Sequence, residues 1–220
     1  RIVARKAPGM SDPDMTADPE RDAVLLASLA HVPRLGWTME AVRAALLAQD
    51  GIADDAAMLF PGGAGELVEA FVTLADRWMT ADAAAADMAG LGKTRRVRAV
   101  IGLRLARLRP HKEAVRRAIG VLALPRHAAL ALRLTGGTID AIWRAAGETL
   151  EDRSRHTKRP ILGAVYGSTL LVWLRDGTAD DAVTLAFLDR RLADVGRIGK
   201  LRGRIEARFA TMLCPKTSLA

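Results

Sequence analysis

Three observations predict an all-α fold. Apolar residues recur at three- and four-residue spacing through most of the chain, alanine, leucine and arginine dominate, and aromatic residues make up only 4%. Those residue types favour helix, and no stretch alternates apolar with polar residues as a half-buried strand would. With 220 residues, 50% of them hydrophobic, the chain is long enough to bury a sizeable core.

The elements follow in order. Residues 1–20 are polar, contain Pro8, Pro13 and Pro19 with several Asp, and carry no periodic pattern. They are expected to be disordered. The chain opens on Arg1, so either its start is incomplete or translation begins near Met10. From Asp22, the positions Val24, Leu25, Leu29 and Val32 trace a first helix, which residues 33–36 (Pro-Arg-Leu-Gly) stop. Thr38 is placed as the N-cap of a second helix over 39–48, closed by Gly51, and Asp54 as the cap of a short third ending at Phe60. A long fourth runs over 65–88. Further helices are predicted at 93–108, 110–122, 125–134, 138–146, 156–174, 179–198 and 200–213. Pro110 and Pro125 fall in first turns, where a missing N–H costs little.

Three short helices followed by a long one resemble the N-terminal layout of a TetR-type regulator. In such a motif the second helix of the helix-turn-helix pair enters the major groove, and cations must meet phosphates around it. Here that element is DDAAMLF at 54–60, with two aspartates and no cation, and Glu66 and Glu69 open the next helix. Acidic groups against a polyanion oppose counterion release. No specific DNA binding is expected, although net charge is +8, which points to a polyanionic partner such as an anionic membrane surface. The charge is segregated: over residues 38–92 nine acids face only Arg43 and Arg77, while Lys93, Arg95, Arg96, Arg98, Arg104, Arg107, Arg109, Lys112, Arg116 and Arg117 face Glu113 alone. That basic stretch is a candidate for nonspecific nucleic-acid contact.

The stretches HVPRLGWTMEAVRAA (31–45), LFPGG (59–63), RPHKEAVRRAIGVLALP (109–125), DAIWRAAGET (140–149), HTKR (156–159), AVYGSTLLVWL (164–174) and FLDRRLADVGRIGK (187–200) resemble the ubiquinone (coenzyme Q) biosynthesis accessory protein family, that of the ninth Coq protein. The resemblance spans about residues 21–200. It implies a TetR-like helical bundle with a vestigial N-terminal helix-turn-helix and a C-terminal amphipathic helix. It further implies a homodimer that holds an isoprenoid quinone lipid and presents it to the demethoxyubiquinone hydroxylase, without catalysis or cofactor of its own. The family's aromatic docking run, Asp-Phe-Asn-Trp-Tyr, reads Asp152, Arg153, Ser154, Arg155, His156 here. Arg155, His156, Lys158 and Arg159 are therefore the partner-contact candidates on an altered patch. Gly136 and Gly137 replace bulkier family residues, and a local helix break is expected there.

A prenyl carrier needs a long apolar channel. Leu67, Phe71, Leu74 and Trp78 share one face of the fourth helix, and Ile142, Trp143, Val165 and Trp173 supply others; these are the lipid-wall candidates. Periodicity alone leaves open whether they fill a solid core. In the tail, Ile198, Leu201, Ile205, Phe209 and Met212 fall on one stripe, with Arg197, Lys200, Arg202, Arg204 and Arg208 around it. A basic amphipathic helix of this kind lies in the headgroup region of anionic lipid, so Ile198, Leu201, Arg204, Ile205, Arg208 and Phe209 are the membrane-contact candidates. The alternative is a helix packed on the body with a solvated basic face.

No catalytic constellation is found. A Glu-x-x-His pair for a di-iron site is missing, GLGKT at 90–94 lacks the first glycine of a phosphate loop, and the four histidines have no ligand spacing. The lone cysteine, Cys214, forms no intramolecular disulfide, and no window is apolar enough for a membrane span or signal peptide. The expected organisation is 1–20 disordered, 21–60 helix-turn-helix-like, 61–198 a lipid-binding and dimerisation body, and 199–220 a membrane-contact helix and tail. The expected location is cytoplasmic, peripheral to the inner membrane. The competing readings are a TetR-type transcription regulator with an apolar effector pocket, and a scaffolding dimer with a solid interior.

Overall fold

The computed structural model of the chain describes residues 18–148 and 155–213, giving side chains except at 155–158 and 198–213. Among the described residues there are ten α-helices and no strand: α1 (Pro19–Ser28), α2 (Val32–Leu35), α3 (Met39–Leu47), α4 (Asp55–Leu59), α5 (Gly63–Ala85), α6 (Lys93–Leu108), α7 (Lys112–Leu122), α8 (Ala128–Ala145), α9 (Arg155–Trp173) and α10 (Ala182–Leu213). Pro110 and Pro125 each lie in a single 3-10 turn leading into α7 and α8.

Helix α5 is the axis of the body and packs against α1, α6, α7 and α8; α9 and α10 pair with each other and close over α6 and α8. One apolar core runs from Val24 in α1 to Leu188 in α10. The N-terminal helices are not a separate unit. Trp37, buried between α2 and α3, donates its indole N–H to the Ala114 carbonyl at 3.0 Å and lies 5.0 Å from the Phe71 ring. Arg117 in α7 donates to the Pro33 carbonyl at 2.6 Å.

Local chemistry sets the ends. Thr38 caps α3, its hydroxyl accepting from the Ala41 N–H. The left-handed residue after α3 is Asp50 (φ 58°), not Gly51; a short polar side chain tolerates that conformation better than most. The turn into α10 is fixed by Asp176, whose two oxygens accept the N–H and hydroxyl of both Thr178 and Thr184.

Four expectations need correction. The helical region begins at Asp18, which caps α1 with Pro19 in the first turn, so the Asp-Pro-Glu run at 18–20 is a helix start; residues 1–17 lie outside the described part. Residues 33–36 do not merely stop a helix, because Pro33 sits in the first turn of α2 and Gly36 (φ 73°) ends it. Gly136 and Gly137 lie inside an unbroken α8, since packing on α5 and α9 outweighs the loss of roughly 1 kcal/mol that a helical glycine carries. The two helices expected at 179–198 and 200–213 are one, α10.

A Cβ at position 137 would meet nothing within 4 Å, whereas at 136 it would lie 3.1 Å from Arg159 Nη2. Gly137→Ala is expected to stabilise the protein by about 0.5–1 kcal/mol, read as a higher urea midpoint. A helix broken at this pair would be destabilised instead.

Candidate functional site

Helices α6, α8 and α9 diverge enough to leave two apolar cavities between them. The outer one, about 250 Å³, is lined by Lys93, Thr94 and Val97 of α6, Trp143 at the end of α8, Glu148, Ile161 and Leu162 of α9, and Leu192, Val195 and Gly196 of α10. Lys93 and Glu148 form an ion pair at 2.9 Å at its rim. The inner one, about 140 Å³, is lined by Phe71, Val72 and Ala75 of α5, Arg104 and Leu108 of α6, Val115, Ala118, Ile119 and Leu122 of α7, Leu134, Thr135 and Thr138 of α8, and Tyr166 and Leu170 of α9. From Leu162 to Tyr166 on α9 is one helical turn, about 6 Å, and from Val97 to Arg104 on α6 is about two turns. The helix segments in between carry the buried residues Val100, Ile101, Ile139, Ile142 and Val165.

The inner cavity has a charged wall. Arg104, 3% exposed, donates from Nη1 to Asp76 Oδ1 and from Nε to the Tyr166 hydroxyl at 2.8 Å. Thr138 donates its hydroxyl proton to Asp76 Oδ2 at 3.0 Å. Four helices, α5, α6, α8 and α9, thus meet at one polar knot. Burial pushes the Asp76 carboxyl above its ordinary range, with Arg104 and Thr138 pulling against it. Burial would lower the Arg104 pKa, but Tyr166 and Asp76 together hold it above its usual value, so the guanidinium remains charged.

Of the lipid-wall candidates, Phe71 lines the inner cavity and Trp143 the outer, while Ile142 and Val165 sit on the segments between them. Leu67, Leu74 and Trp173 are buried in the core and line neither; Lys112 lies over the Trp173 ring at 4.8 Å. Trp78 also lines neither: it stacks on His111, and the Arg107 guanidinium lies over its ring, 5.1 Å from the centroid. Among the partner-contact candidates, Arg155, His156 and Lys158 have side chains outside the described part, and Arg159 pairs with Asp140 at 2.6 Å. The membrane-contact positions Ile198, Leu201, Arg204, Ile205, Arg208 and Phe209 lie on α10, again with side chains outside it.

The residues missed by pattern reading are Asp76, Arg104, Thr138 and Tyr166. One signal was available: Asp76 falls within the apolar stripe of α5, three residues before the fully buried Met79 and four after Val72. A carboxylate there requires a cation from a neighbouring helix.

The basic stretch at 93–117 is largely engaged within the molecule. Arg96 donates to the Leu91 carbonyl, Arg98 pairs with Asp189, Arg109 with Asp181, and Lys112 and Arg116 donate to the Asp176 and Leu174 carbonyls. On α4, Met58 is 75% exposed and Asp54 and Ala57 are exposed beside it. Among the described residues no group of three His, Cys, Asp or Glu is placed to hold a metal ion, and no single helix is long and apolar enough to cross a membrane.

Residues 128–199 match the COQ9 family model. The chain is similar to the mitochondrial ubiquinone biosynthesis protein COQ9 of Xenopus tropicalis, 31% identical over 183 residues that cover 80% of this chain and 57% of that protein. For COQ9 of Homo sapiens the figures are 29% over 191 residues, 84% and 60%, and for the probable coq9 protein of Dictyostelium discoideum 29% over 189 residues, 83% and 62%. The chain thus spans less than two thirds of the length of these relatives. Among solved structures, the TetR transcriptional regulator from Nitrosomonas europaea ATCC 19718 superposes with a TM-score of 0.66 at 23% identity, over 80% of this chain and 97% of that one. The all-α, TetR-like fold and the resemblance read from the sequence are both borne out.

Arg104→Met strands the Asp76 carboxyl among apolar groups and is expected to cost about 3–5 kcal/mol in urea unfolding. Adding Asp76→Leu to that variant is expected to recover most of the loss, because the buried charge then disappears from both sides. Equal stability of the single and double variants would mean that the two groups are not coupled.

Proposed function

Because the chain carries a COQ9 family domain and resembles ubiquinone biosynthesis proteins over most of its length, we propose that it serves ubiquinone biosynthesis as a non-catalytic lipid carrier. It takes up an isoprenoid quinone intermediate and presents it, at the membrane, to the hydroxylase that acts on demethoxyubiquinone. The observation that carries this reading is the outer cavity. Its walls from α8, α9 and most of α10 fall within the matched residues 128–199, and they are apolar apart from the rim. Each CH₂ withdrawn from water contributes roughly 0.8 kcal/mol, so a few buried prenyl units drive capture.

The tail supports the membrane part. On the continuous α10, Leu188, Leu192 and Val195 turn toward the body, Leu188 buried in the core and the other two packed against it. At 3.6 residues per turn, positions 198, 201, 205, 209 and 212 centre roughly 100° round the helix from that face. An apolar stripe flanked by Arg197, Lys200, Arg202, Arg204 and Arg208 suits the headgroup layer of anionic lipid, and in this reading it attaches the protein peripherally to the inner membrane. A homodimer through α9 and α10, which expose Leu171 and Val183, completes the reading.

A regulator remains the second reading, favoured by the TetR-like fold. The exposed face of α4 opposes it, with Asp54, Ala57 and Met58 and no cation.

Both halves of the proposal are tested by flotation with anionic liposomes containing a prenyl quinone. The protein is expected to float and to retain quinone in lipid extracts after separation; the chain ending at Ile198 is expected to retain quinone and lose flotation. A protein that never takes up quinone, or that instead binds one duplex sequence tightly at moderate salt, contradicts the carrier reading.

A further inference from the structure

The inner cavity differs from the outer in having unused hydrogen-bond donors on its wall. Arg104 uses Nη1 and Nε on Asp76 and Tyr166, and among the described residues its Nη2 has no hydrogen-bond partner. The Tyr166 hydroxyl accepts from Arg104 Nε, and its own proton has no acceptor among those residues. Thr138, by contrast, is committed to Asp76. Arg104 Nη2 is not among the fully buried side-chain atoms that lack a partner, so it keeps access to space between the helices, and both residues line an otherwise apolar cavity.

We propose that this cavity seats the ring of a neutral, carbonyl-bearing quinonoid headgroup, with Arg104 Nη2 and the Tyr166 hydroxyl donating to its oxygens. The inference rests on the carrier reading and specifies where the polar end of the cargo sits. Chemistry narrows the class. Two free donors require an acceptor. Asp76 already balances Arg104, so a carboxylate or phosphate would leave an excess buried negative charge, whereas a ring carbonyl adds none. At about 140 Å³, the space is well below the roughly 300–1,000 Å³ that encloses a whole drug-sized ligand. It therefore takes a ring and not a tail, between walls that include Phe71 and Leu170.

Tyr166 is the only tyrosine in the chain, so protein made with 3-fluorotyrosine gives one ¹⁹F resonance from this wall. The probes are a short-tailed ubiquinone and the prenyl alcohol of the same tail. The resonance is expected to move with the quinone and not with the alcohol. Tyr166→Phe is expected to weaken quinone binding about three- to tenfold, the loss of one hydrogen bond, and to leave alcohol binding unchanged. Quinone binding with an unmoved resonance and no effect of Tyr166→Phe, or an equal loss for both probes, overturns this site and leaves the carrier reading standing. Uptake of neither probe by the wild-type protein overturns both.

Discussion

A guanidinium buried in an apolar bundle constrains everything packed around it. Removing such a charge from water costs several kcal/mol even after relaxation, so Arg104 must be met by groups from the surrounding helices: Asp76 from α5 and the Tyr166 hydroxyl from α9, with Thr138 of α8 satisfying the other oxygen of Asp76. Hydrogen-bond lengths then set how far these helices stand apart. Side chains such as Ala75, Ala118 and Thr138 are too short to fill the space that separation leaves, and a cavity forms beside the polar knot. The same network that stabilises the body also holds it open.

Charge serves architecture elsewhere in the chain. The basic α6–α7 stretch reads along the sequence as a surface for polyanions, yet it is bound to the turn between α9 and α10 through Arg109, Lys112 and Arg116, and to α10 through Arg98. The two glutamates of α5 have partners too: Glu66 with Arg21 and Glu69 with Arg133. In the segment where a TetR-type regulator would need cations, α4 exposes a carboxylate and a methionine. Folding has drawn the positive charge to the body, and the N-terminal helices are locked against it by Trp37 and Arg117.

Most of the fold was legible because local signals and tertiary packing agree. Helix α6 has the bounds its periodicity predicted and Thr38 caps α3, whereas Asp54, expected to cap α4, stands at its start without a capping hydrogen bond. The errors fell where packing overrides propensity: two adjacent glycines do not break α8 when neighbours clamp it on two sides, and glycines near residue 199 do not divide α10. The site was less legible. An apolar position looks the same in sequence whether it meets another side chain or a void, so Leu67, Leu74 and Trp173 were grouped with Phe71 and Trp143, although only the latter two border open space. Asp76 was visible as a carboxylate in an apolar stripe. Its partners were not, because Arg104 is one arginine among many, and only the three-dimensional packing selects it.

The central claim is that the space between α6, α8 and α9 is hollow and apolar, able to accept a greasy guest. Empty apolar cavities bind xenon, whereas filled cores do not. Crystals of lipid-free protein pressurised with xenon therefore test it most directly. Xenon atoms beside Trp143 and Leu162 and beside Phe71 and Leu170 are the predicted result. A map with no xenon between these helices, and side chains closing the space, would contradict it.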